Sequence, residues 1–533
     1  MHKISRQVLI FVFFLFPLVN QCKLNLNNPS DPTSKAFFET FLWRLYLDSF
    51  CDPNVRGNFI LGSGNALILP MSIKVLRSGN TVVSLVSGEP IVWNGNSLGT
   101  NNNHTNSVLN GVVIVIDKSF SKILWLDYIG EMSYGVDDWP QPETISIAEY
   151  SNGDIGIFSL VNGSGRSNTL NNKSVTNAFF AARYKQSDGS VLWQGYLNKD
   201  NTRFRFNNYG MTINDFDQMI ITYNTLTENT TPTQDAIGLS YFALPAPNIT
   251  TNATFASQSE IGIAVINPDG SGSKQSFLPN PGLTTEPLFV KSAGDKILLA
   301  GNTTNNFPSF SGHPLPDESR VFYGVANSSL SFETTGYYGT NESTQETKLQ
   351  NLHFAANQLF FVGRSFANQS LSSTIHPFQG TSGRRNYIFI KPDLYSANAL
   401  WIQYLGSSSY NVPEILPGGL VYNSLKNQMI GNLLAVDNGN GFTGIPDGIS
   451  SGSIQYPLGQ TRLKFDPSSG QFLTIQYYNG TNDLSGNDGG FVASQVEACS
   501  GRMVTLRSLF ATVATVSSNR RLEITTRPAS EEP

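Results

Sequence analysis

The sequence predicts an all-β fold, a β-propeller of about seven four-stranded blades preceded by one short N-terminal helix. A unit of roughly 65 to 75 residues recurs about seven times, and a unit of this kind cannot bury its apolar face alone. Each unit contains a turn of Gly, Asn or Asp before a continuous apolar strand, and a hairpin that ends in aromatic residues. Such units must therefore pack on one another around a common axis.

The first half of each unit is a tight turn followed by an inner strand rich in Val, Ile, Leu and Phe. Gly, Asn and Asp accept positive φ and suit tight hairpins. The apolar runs are continuous rather than alternating, which is typical of strands buried on both faces. The predicted inner strands are residues 81–86, 154–160, 219–223, 296–300, 359–362, 429–434 and 502–506.

The second half of each unit is a hairpin whose return strand carries a large aromatic ring at a fixed place. We interpret these rings as core packing that fills the wedge between radiating blades, not as a binding ledge, because they recur with the repeat. The clearest copies begin at Trp125, Trp193 and Trp401. Weaker copies are residues 475–479, 337–339 and 277–279.

The predicted propeller extends over residues 56–528, and its last blade has two possible constructions. The blades are expected to begin near residues 70, 145, 209, 285, 350, 418 and 491. The last copy offers four apolar runs of its own, at residues 492–498, 503–506, 511–516 and 521–525. Alternatively, it borrows a strand from residues 58–69 to close the ring.

Two loops add a further pattern to the repeat. Residues 300–303 are followed by Phe307-Pro308, and residues 362–365 are followed by Phe378-Gln379-Gly380. In the units near 285 and 350 this pattern resembles the bacterial β-propeller repeat family. The resemblance implies a propeller fold and a secreted or surface location, and it carries no catalytic residue onto this chain.

Composition and charge also favour an extracellular β-protein. Charged residues form only 14% of the chain, the net charge is −5 and the isoelectric point is about 5.6. Nucleic-acid binding needs a basic surface, so we expect no nucleic-acid partner. The protein is expected to be a monomer. The Asn-X-Ser/Thr sequons, which accept glycans only in a eukaryotic host, include Asn162, Asn229, Asn302, Asn341 and Asn479.

The N-terminus predicts export. Residues 1–21 combine Lys3 and Arg6 with an apolar block, as in a secretory signal peptide. Cys22 follows at the place where a bacterial lipobox would be acylated, although Asn20 and Gln21 depart from the usual pattern and resemble the looser spirochaetal lipoproteins. The prediction is an outer-membrane or cell-surface lipoprotein anchored to the membrane at Cys22. The alternative is ordinary signal cleavage and a secreted soluble protein.

The segment between Cys22 and the ring is predicted to contain a polar tether, residues 22–34, and an amphipathic helix, residues 35–51. The helix is expected either to dock on the propeller or to lie on the membrane or a partner. Cys51 precedes the first blade and Cys499 lies in the last, so the closure of a ring would bring them near each other. They either form a disulfide or remain two buried thiols.

No motif in the chain argues for catalysis. The five histidines, His2, His104, His313, His353 and His376, are far apart and mostly in predicted loops. The sequence contains no zincin motif, no nucleophile elbow and no glycine-rich phosphate loop. We therefore predict no catalytic residue, no cofactor and no metal ligand.

The function predicted is that of a surface binding protein, whose protein or glycan partner is held by polar loops on a rigid scaffold. The candidate loops are residues 94–110, 224–257 and 302–317. One alternative is a propeller enzyme of the glycoside hydrolase or lyase type with paired carboxylates in its central channel. Another is a structural envelope protein.

Overall fold

The structure is a computed structural model, and it divides the chain into two compact units, residues 1–53 and 54–533. The described residues all belong to the second unit. They span 54–528 except for 63–67, 94–95, 98–108, 132–144, 165–173, 198–208, 226–259, 279–287, 304–319, 340–346, 356–357, 367–373, 377–383, 394–398, 408–411, 413–419, 436–441, 443–444, 446–447, 452–458, 479–491, 498–499, 501 and 511–519. The predicted signal peptide, tether and helix, and all three cysteines, lie outside them.

Every regular element of the described residues is a β-strand. The strands of the first part of the chain are β1 (Gly57–Leu61), β2 (Ile68–Val75), β3 (Thr81–Ser87), β4 (Val92–Trp93), β5 (Asn96–Ser97), β6 (Asn110–Ile116), β7 (Ile123–Glu131), β8 (Ile145–Glu149), β9 (Ile155–Ser164), β10 (Ser174–Tyr184), β11 (Val191–Leu197), β12 (Tyr209–Ile213), β13 (Met219–Thr225), β14 (Glu260–Ile266) and β15 (Gly272–Leu278).

The second part of the chain continues the same pattern. Its strands are β16 (Leu288–Ala293), β17 (Lys296–Thr303), β18 (Arg320–Ala326), β19 (Phe332–Tyr338), β20 (Thr347–Ala355), β21 (Gln358–Ser365), β22 (Thr374–His376), β23 (Asn386–Pro392), β24 (Ala399–Leu405), β25 (Leu420–Asn423), β26 (Gln428–Ala435), β27 (Ser450–Ser451), β28 (Gly459–Phe465), β29 (Phe472–Tyr478), β30 (Val492–Val496), β31 (Met503–Phe510) and β32 (Arg520–Arg527).

All of these strands except β4 and β5, which form a small hairpin of their own, make up seven sheets, which are the blades of a propeller. From the first strand outward, blades 1 to 4 are β2-β3-β6-β7, β8-β9-β10-β11, β12-β13-β14-β15 and β16-β17-β18-β19. Blades 5 and 6 are β20-β21-β23-β24 and β25-β26-β28-β29. Each of these two adds a short fifth strand, β22 or β27, parallel to its outermost strand. Blade 7 is β30-β31-β32-β1.

Contacts between blades close a ring. The first strand of each blade touches the blade that follows it in sequence, from β2 against β8 through to β25 against β30. Blade 7 then returns to blade 1, because β30, β31 and β32 all touch β2. The seven first strands therefore surround the axis, and the strands predicted as inner strands from sequence are the second strand of each blade.

The N-terminal strand completes blade 7, so the second of the two constructions is the observed one. β1 pairs antiparallel with β32, and Phe59 lies opposite Ile524. The Phe59 side chain is 2% exposed and its ring lies 5.1 Å from that of Trp93 and 5.6 Å from that of Phe120 in blade 1. The first and the last strand of the propeller are thus neighbours in one sheet, and their pairing closes the ring.

The core is the set of layers between adjacent blades. β3, β6, β18 and β23 are buried along their whole length, as the continuous apolar runs predict. The layer between blades 1 and 2, for example, contains Val82, Val113, Trp125, Ile157 and Phe180. Each blade is marginal alone and is stabilised by the apolar surface that it shares with its two neighbours.

Three tryptophans of the repeat form hydrogen bonds to the neighbouring blade, besides filling space between blades. Trp125 Nε1 of blade 1 donates to Gln186 O of blade 2 at 2.8 Å, and Trp193 Nε1 of blade 2 donates to Pro268 O of blade 3 at 2.9 Å. Trp401 Nε1 of blade 5 donates to a carbonyl of blade 6 in the same way. The interpretation of these rings as core packing is confirmed, with a directional hydrogen bond added.

Blade 3 replaces this tryptophan with a lysine. Lys274 occupies the register position in β15 that Trp193 occupies in β11. Its Nζ donates to Ser328 O in the turn of blade 4 at 2.6 Å. The link between blades is therefore kept although the side chain differs.

Candidate functional site

The two faces of the ring differ in the length of the chain segments that they carry. Because the strands of a blade alternate in direction, the turns joining strands 1 and 2 and strands 3 and 4 lie on one face, here called the turn face. The loops joining strands 2 and 3 and the connections between blades leave from the other face, here called the loop face. The inter-blade hydrogen bonds from tryptophan all end in turns of the turn face, which places these turns side by side around the ring.

The turn face is built from short turns whose polar groups bond to each other. In the blade 2 turn, Ser190 donates both its hydroxyl and its backbone N–H to Asp188, and these two hydrogen bonds lower the pKa of Asp188 to about 2. In blade 6, backbone and side-chain hydrogen bonds from Ser469 and the N–H of Ser468 lower the pKa of Asp466 despite its partial burial. These carboxylates stabilise turns and hold no proton for transfer near neutral pH.

The turns of neighbouring blades are also connected to each other. The backbone N–H of Arg77 in blade 1 donates to both carboxylate oxygens of Glu149 in blade 2, at 2.9 and 3.2 Å. The backbone N–H of Ser151 in blade 2 donates to Asp217 in blade 3 at 2.6 Å. The turn face is therefore a continuous, hydrogen-bonded surface over these blades.

The loop face is the origin of all three candidate loops. Residues 94–110, 224–257 and 302–317 each join the second strand of a blade to the third, so they leave from the same ends of β3, β13 and β17. Apart from a few residues at their ends, these loops lie outside the described residues. The described strand ends from which they leave all lie on one face of the ring, as a shared recognition surface requires.

One loop residue with a predicted modification motif belongs to the core instead. Asn302 is 2% exposed, its Nδ2 donates to Leu349 O at 2.9 Å, and its Oδ1 accepts the Leu349 N–H at 2.6 Å. This side chain connects blades 4 and 5, and its burial leaves no access for a glycan at Nδ2. The sequon at Asn302 is therefore not a glycan acceptor of the folded protein.

The centre of the ring holds a second candidate site, which the sequence did not indicate. The first strands carry few charged residues, and three of these come together electrostatically with a histidine: Lys74 in β2, Glu149 in β8, Lys291 in β16 and His353 in β20. Their side chains are intermediate in exposure, and their strands belong to the innermost ring of strands. We call these four residues the channel cluster.

Burial and mutual charge effects shift the pKa values of this cluster. Burial lowers the pKa of Lys74; the carboxylate of Glu149 opposes this shift, and the positive charges of Lys291 and Arg77 add to it. Burial raises the pKa of Glu149 more than the N–H of Arg77 and the ammonium of Lys74 lower it. Burial, with a smaller effect of Lys291 and Lys74, lowers the pKa of His353 to about 3. The imidazole is therefore neutral near pH 7.

His353 also corrects the expectation that the histidines lie mostly in loops. It belongs to the first strand of blade 5, opposite Phe360 in β21, and His376 lies in the short strand β22. The signal that could have identified the site is a polar residue within a short first strand, such as Lys74 in the β2 sequence ILPMSIKV. His104 and His313 lie outside the described residues.

The cluster does not provide the carboxylate pair of a glycoside hydrolase. Glu149 is the one carboxylate on the described first strands, and both its oxygens accept the Arg77 N–H. Among the described residues, no three His, Cys, Asp or Glu side chains are grouped as metal ligands. In the same part of the chain, no helix has the length and apolar character needed to cross a bilayer.

Comparison with known proteins gives no family. No family model matches the chain, and no curated protein matches it in sequence. Among solved structures, the Dos1 propeller is 8% identical over 90% of this chain and 96% of its own, with a TM-score of 0.39. The phage phi92 endosialidase is 9% identical over 90% of this chain and 70% of its own, with a TM-score of 0.39.

A third solved structure, an α-L-arabinofuranosidase from Fusarium graminearum, is 8% identical over 73% of this chain and 94% of its own, with a TM-score of 0.36. At these identities and TM-scores, none of the three proteins carries an argument about this chain. The assignment of a seven-bladed propeller rests on the strand pairing and on the closed set of contacts between blades.

Proposed function

We propose that the protein is an exported, lipid-anchored surface protein that binds a protein or glycan partner through the loops of its loop face. One observation carries this proposal: the ring is strongly asymmetric. Short, hydrogen-bonded turns cover one face, and the segments that leave from the other include residues 226–259 and 304–319. Long loops on a rigid scaffold are the usual place for recognition, because they vary without cost to the core.

The rigid scaffold supports a binding role in a second way. The strand ends that hold the loops are fixed in buried sheets, for example at Ser87 and Thr303, both 0% exposed. A loop whose ends are fixed loses less conformational entropy when it binds a partner. The alternative of a propeller hydrolase would need a second carboxylate from outside the described first strands, and no observation favours it.

Site-specific photocrosslinking tests this proposal. A photoreactive amino acid is placed at Thr233 or Asn305, in two of the loops, and at Ser187 as a matched control on the turn face. Each full-length variant is irradiated in the cells that produce the protein. We expect a discrete adduct of the same partner from the two loop positions and not from Ser187. Adducts from Ser187 alone, or equal adducts from all three positions, would contradict the assignment of the face.

Loop deletion gives an independent test of the same claim. The three loops are shortened singly and together, with Gly-Ser linkers between the strand ends. We expect the adduct, or binding to the partner it identifies, to be lost in the triple variant while the unfolding transition is retained. Binding that survives removal of all three loops would show that recognition takes place elsewhere.

The anchor is proposed on the sequence pattern at Cys22, and a mass measurement tests it. The mature protein, extracted from membranes with detergent, should begin at Cys22 and carry acyl chains, of which each buried CH₂ contributes about 0.8 kcal/mol to membrane binding. An unmodified N-terminus, or one beyond Cys22, would support the alternative of a secreted soluble protein. Chain stoichiometry by light scattering tests the expectation of a monomer in the same preparation.

The disulfide between Cys51 and Cys499 stays a proposal. The residues next to Cys499, Glu497 and Ser500, lie in the turn between β30 and β31 of blade 7. β1, which follows Cys51 in sequence, belongs to the same blade. Peptide mapping of the exported protein without reductant should recover the two cysteine peptides linked; free thiols at both positions would argue against the bridge.

A further inference from the structure

The channel cluster carries an inference that is independent of the loops. Lys74 belongs to blade 1 and Lys291 to blade 4, and these two blades are not neighbours in the ring. Lys74, Lys291 and His353 of blade 5 each pair with the second or third residue of the strand that follows, so all three lie at the turn-face end of a first strand. The positive charge of Lys291 also lowers the pKa of Lys74, and both lysines lower the pKa of His353. First strands from three blades therefore direct basic side chains toward one region around the axis.

The protein around the two ammonium groups compensates their positive charge only in part. The ammonium group of neither Lys74 nor Lys291 forms a hydrogen bond or ion pair with the residues that the structure describes. Glu149 is the single acidic group of the cluster, and both its oxygens already accept the backbone N–H of Arg77. Two positive charges are thus held in a partly enclosed space with one carboxylate nearby, and the cationic side chain of Arg77 adds to them.

Two ammonium groups beside a single carboxylate remain an unfavourable arrangement without a second negative charge. Like charges in an enclosed space disfavour each other's charged forms, and burial adds a desolvation cost for each. An anion placed between the ammonium groups would remove both costs and would use hydrogen-bond donors that are otherwise unused. Lysine is a common ligand of phosphate groups, to which it contributes a compact charge with three donors.

We propose that the axial channel contains a binding site for a small multivalent oxyanion of the phosphate type, held between Lys74 and Lys291. His353 lies beside the site as a neutral imidazole, able to donate one hydrogen bond to the anion from a ring N–H. The negative charge of Glu149 disfavours any anion nearby, so an anion that forms ionic contacts with both lysines should be favoured over one that forms a single contact. Monovalent anions should bind far more weakly than pyrophosphate.

Isothermal titration of the full-length protein with pyrophosphate tests the site. The titration is done at pH 7 and low ionic strength, where charge interactions are least screened. The variants are Lys74→Met, Lys291→Met and the double variant, with Lys426→Met as a control at an exposed turn residue of blade 6. Lys74→Arg keeps the positive charge and serves as a second variant at the same position.

We expect one pyrophosphate per chain, with affinity reduced at least tenfold in each single channel variant and binding abolished in the double variant. Lys426→Met should bind as the wild type does, and Lys74→Arg should stay within a few-fold of it. The absence of binding to the wild type at millimolar pyrophosphate would overturn the proposal. So would an equal loss in Lys426→Met, or full binding by the double variant.

Proton linkage gives a readout that a purely structural role of Lys74 would not produce. A bound anion favours the charged form of Lys74, so binding to the wild type above neutral pH should be accompanied by proton uptake. This uptake is measured from titrations in buffers of different ionisation enthalpy. It should be much reduced in Lys74→Arg, whose guanidinium stays charged. Equal proton uptake by the two proteins would place the anion away from Lys74.

Discussion

Replacing Phe59 with alanine tests how far the ring depends on its N-terminal strand. Phe59 is 2% exposed in β1 and its ring contacts those of Trp93 and Phe120, so the substitution leaves a cavity between blades 7 and 1. A buried Phe→Ala change costs about 3–5 kcal/mol. The neighbouring residue Ile60 is 44% exposed on the other face of the same strand, and Ile60→Ala should cost below about 1 kcal/mol. Both substitutions put alanine into β1, so the difference between Phe59→Ala and Ile60→Ala reports the loss of buried packing and not the change in strand propensity.

The measurement is urea-induced unfolding followed by tryptophan fluorescence, combined with hydrogen exchange of the β32 peptide, Arg520–Arg527. β1 pairs with β32, so its detachment exposes β32 amides. A loss of 3 kcal/mol or more corresponds to about a 100-fold or greater increase in local opening. We expect this increase in Phe59→Ala and not in Ile60→Ala. Equal exchange in the two variants, or wild-type exchange in Phe59→Ala, would refute the closure of blade 7 by β1.

Three further predictions address single side chains, each with urea unfolding as the assay. Trp193→Phe removes the hydrogen bond between blades 2 and 3 and should lower the free energy of unfolding by about 1 kcal/mol. Leu192 lies on the same strand and is 50% exposed, so Leu192→Ala should lower it less. A larger loss in Leu192→Ala would contradict a stabilising role of this hydrogen bond. Asn302→Ala should lose at least about 2 kcal/mol, because the N–H and C=O of Leu349 become buried and unpaired; a loss below about 0.5 kcal/mol would contradict this. His353 takes up a proton near pH 6.5 in the unfolded chain, but only near its lowered pKa of about 3 in the folded protein. As the pH falls from 6.5 to 3, His353 should therefore lower the free energy of unfolding by up to about 1.4 kcal/mol per pH unit. His353→Gln should show a shallower fall from pH 7 to 5, and parallel profiles would contradict the burial of the imidazole.

The strand positions could be predicted because a turn of Gly, Asn or Asp and the apolar run after it both indicate where a second strand begins. The turn residues Gly79, Gly153 and Gly294 have positive φ, and the apolar runs that follow them are the buried second strands. The sequence predicts that the blades begin near residues 70, 145, 209, 285, 350, 418 and 491, and their first strands begin at residues 68, 145, 209, 288, 347, 420 and 492. Because these strands are buried on both faces, their sequences are continuously apolar and differ clearly from the polar turns.

Some turns break the sequence rule because packing outweighs backbone preference. Phe120 and Leu330 have φ values of 55° and 62°, at a place where Gly189, Gly270 and Gly470 serve in other blades. Both side chains are buried, at 6% and 2% exposure, in layers between blades. The apolar contact compensates for the strain of the left-handed conformation, and no local signal in the sequence shows this.

The sequence shows charged residues in the first strands, but it does not show that they come together as the channel cluster. Its members are separated by long stretches of chain, and a repeat pattern does not show which side chains of a first strand face the axis. Lys74 and Lys291 look like ordinary surface lysines until the ring places their strands around one axis. The link made by Lys274 was missed for a related reason, because it replaces tryptophan with a side chain of different chemistry.

Both proposals require a closed ring, and a cysteine crosslink across its seam tests that closure most directly. In a background with Cys51 and Cys499 replaced by serine, Asn58 and Thr525 are changed to cysteine, since they lie opposite each other on β1 and β32. The control pair, Asn58 and Arg527, is two residues out of register, which puts the Cα atoms at or beyond the usual disulfide limit of about 7 Å. The account predicts rapid oxidation of the first pair to an intrachain bridge between the N- and C-terminal peptides, and little of it in the control. Absence of that bridge, or equal bridging in both pairs, would contradict a seven-bladed ring closed by its N-terminal strand.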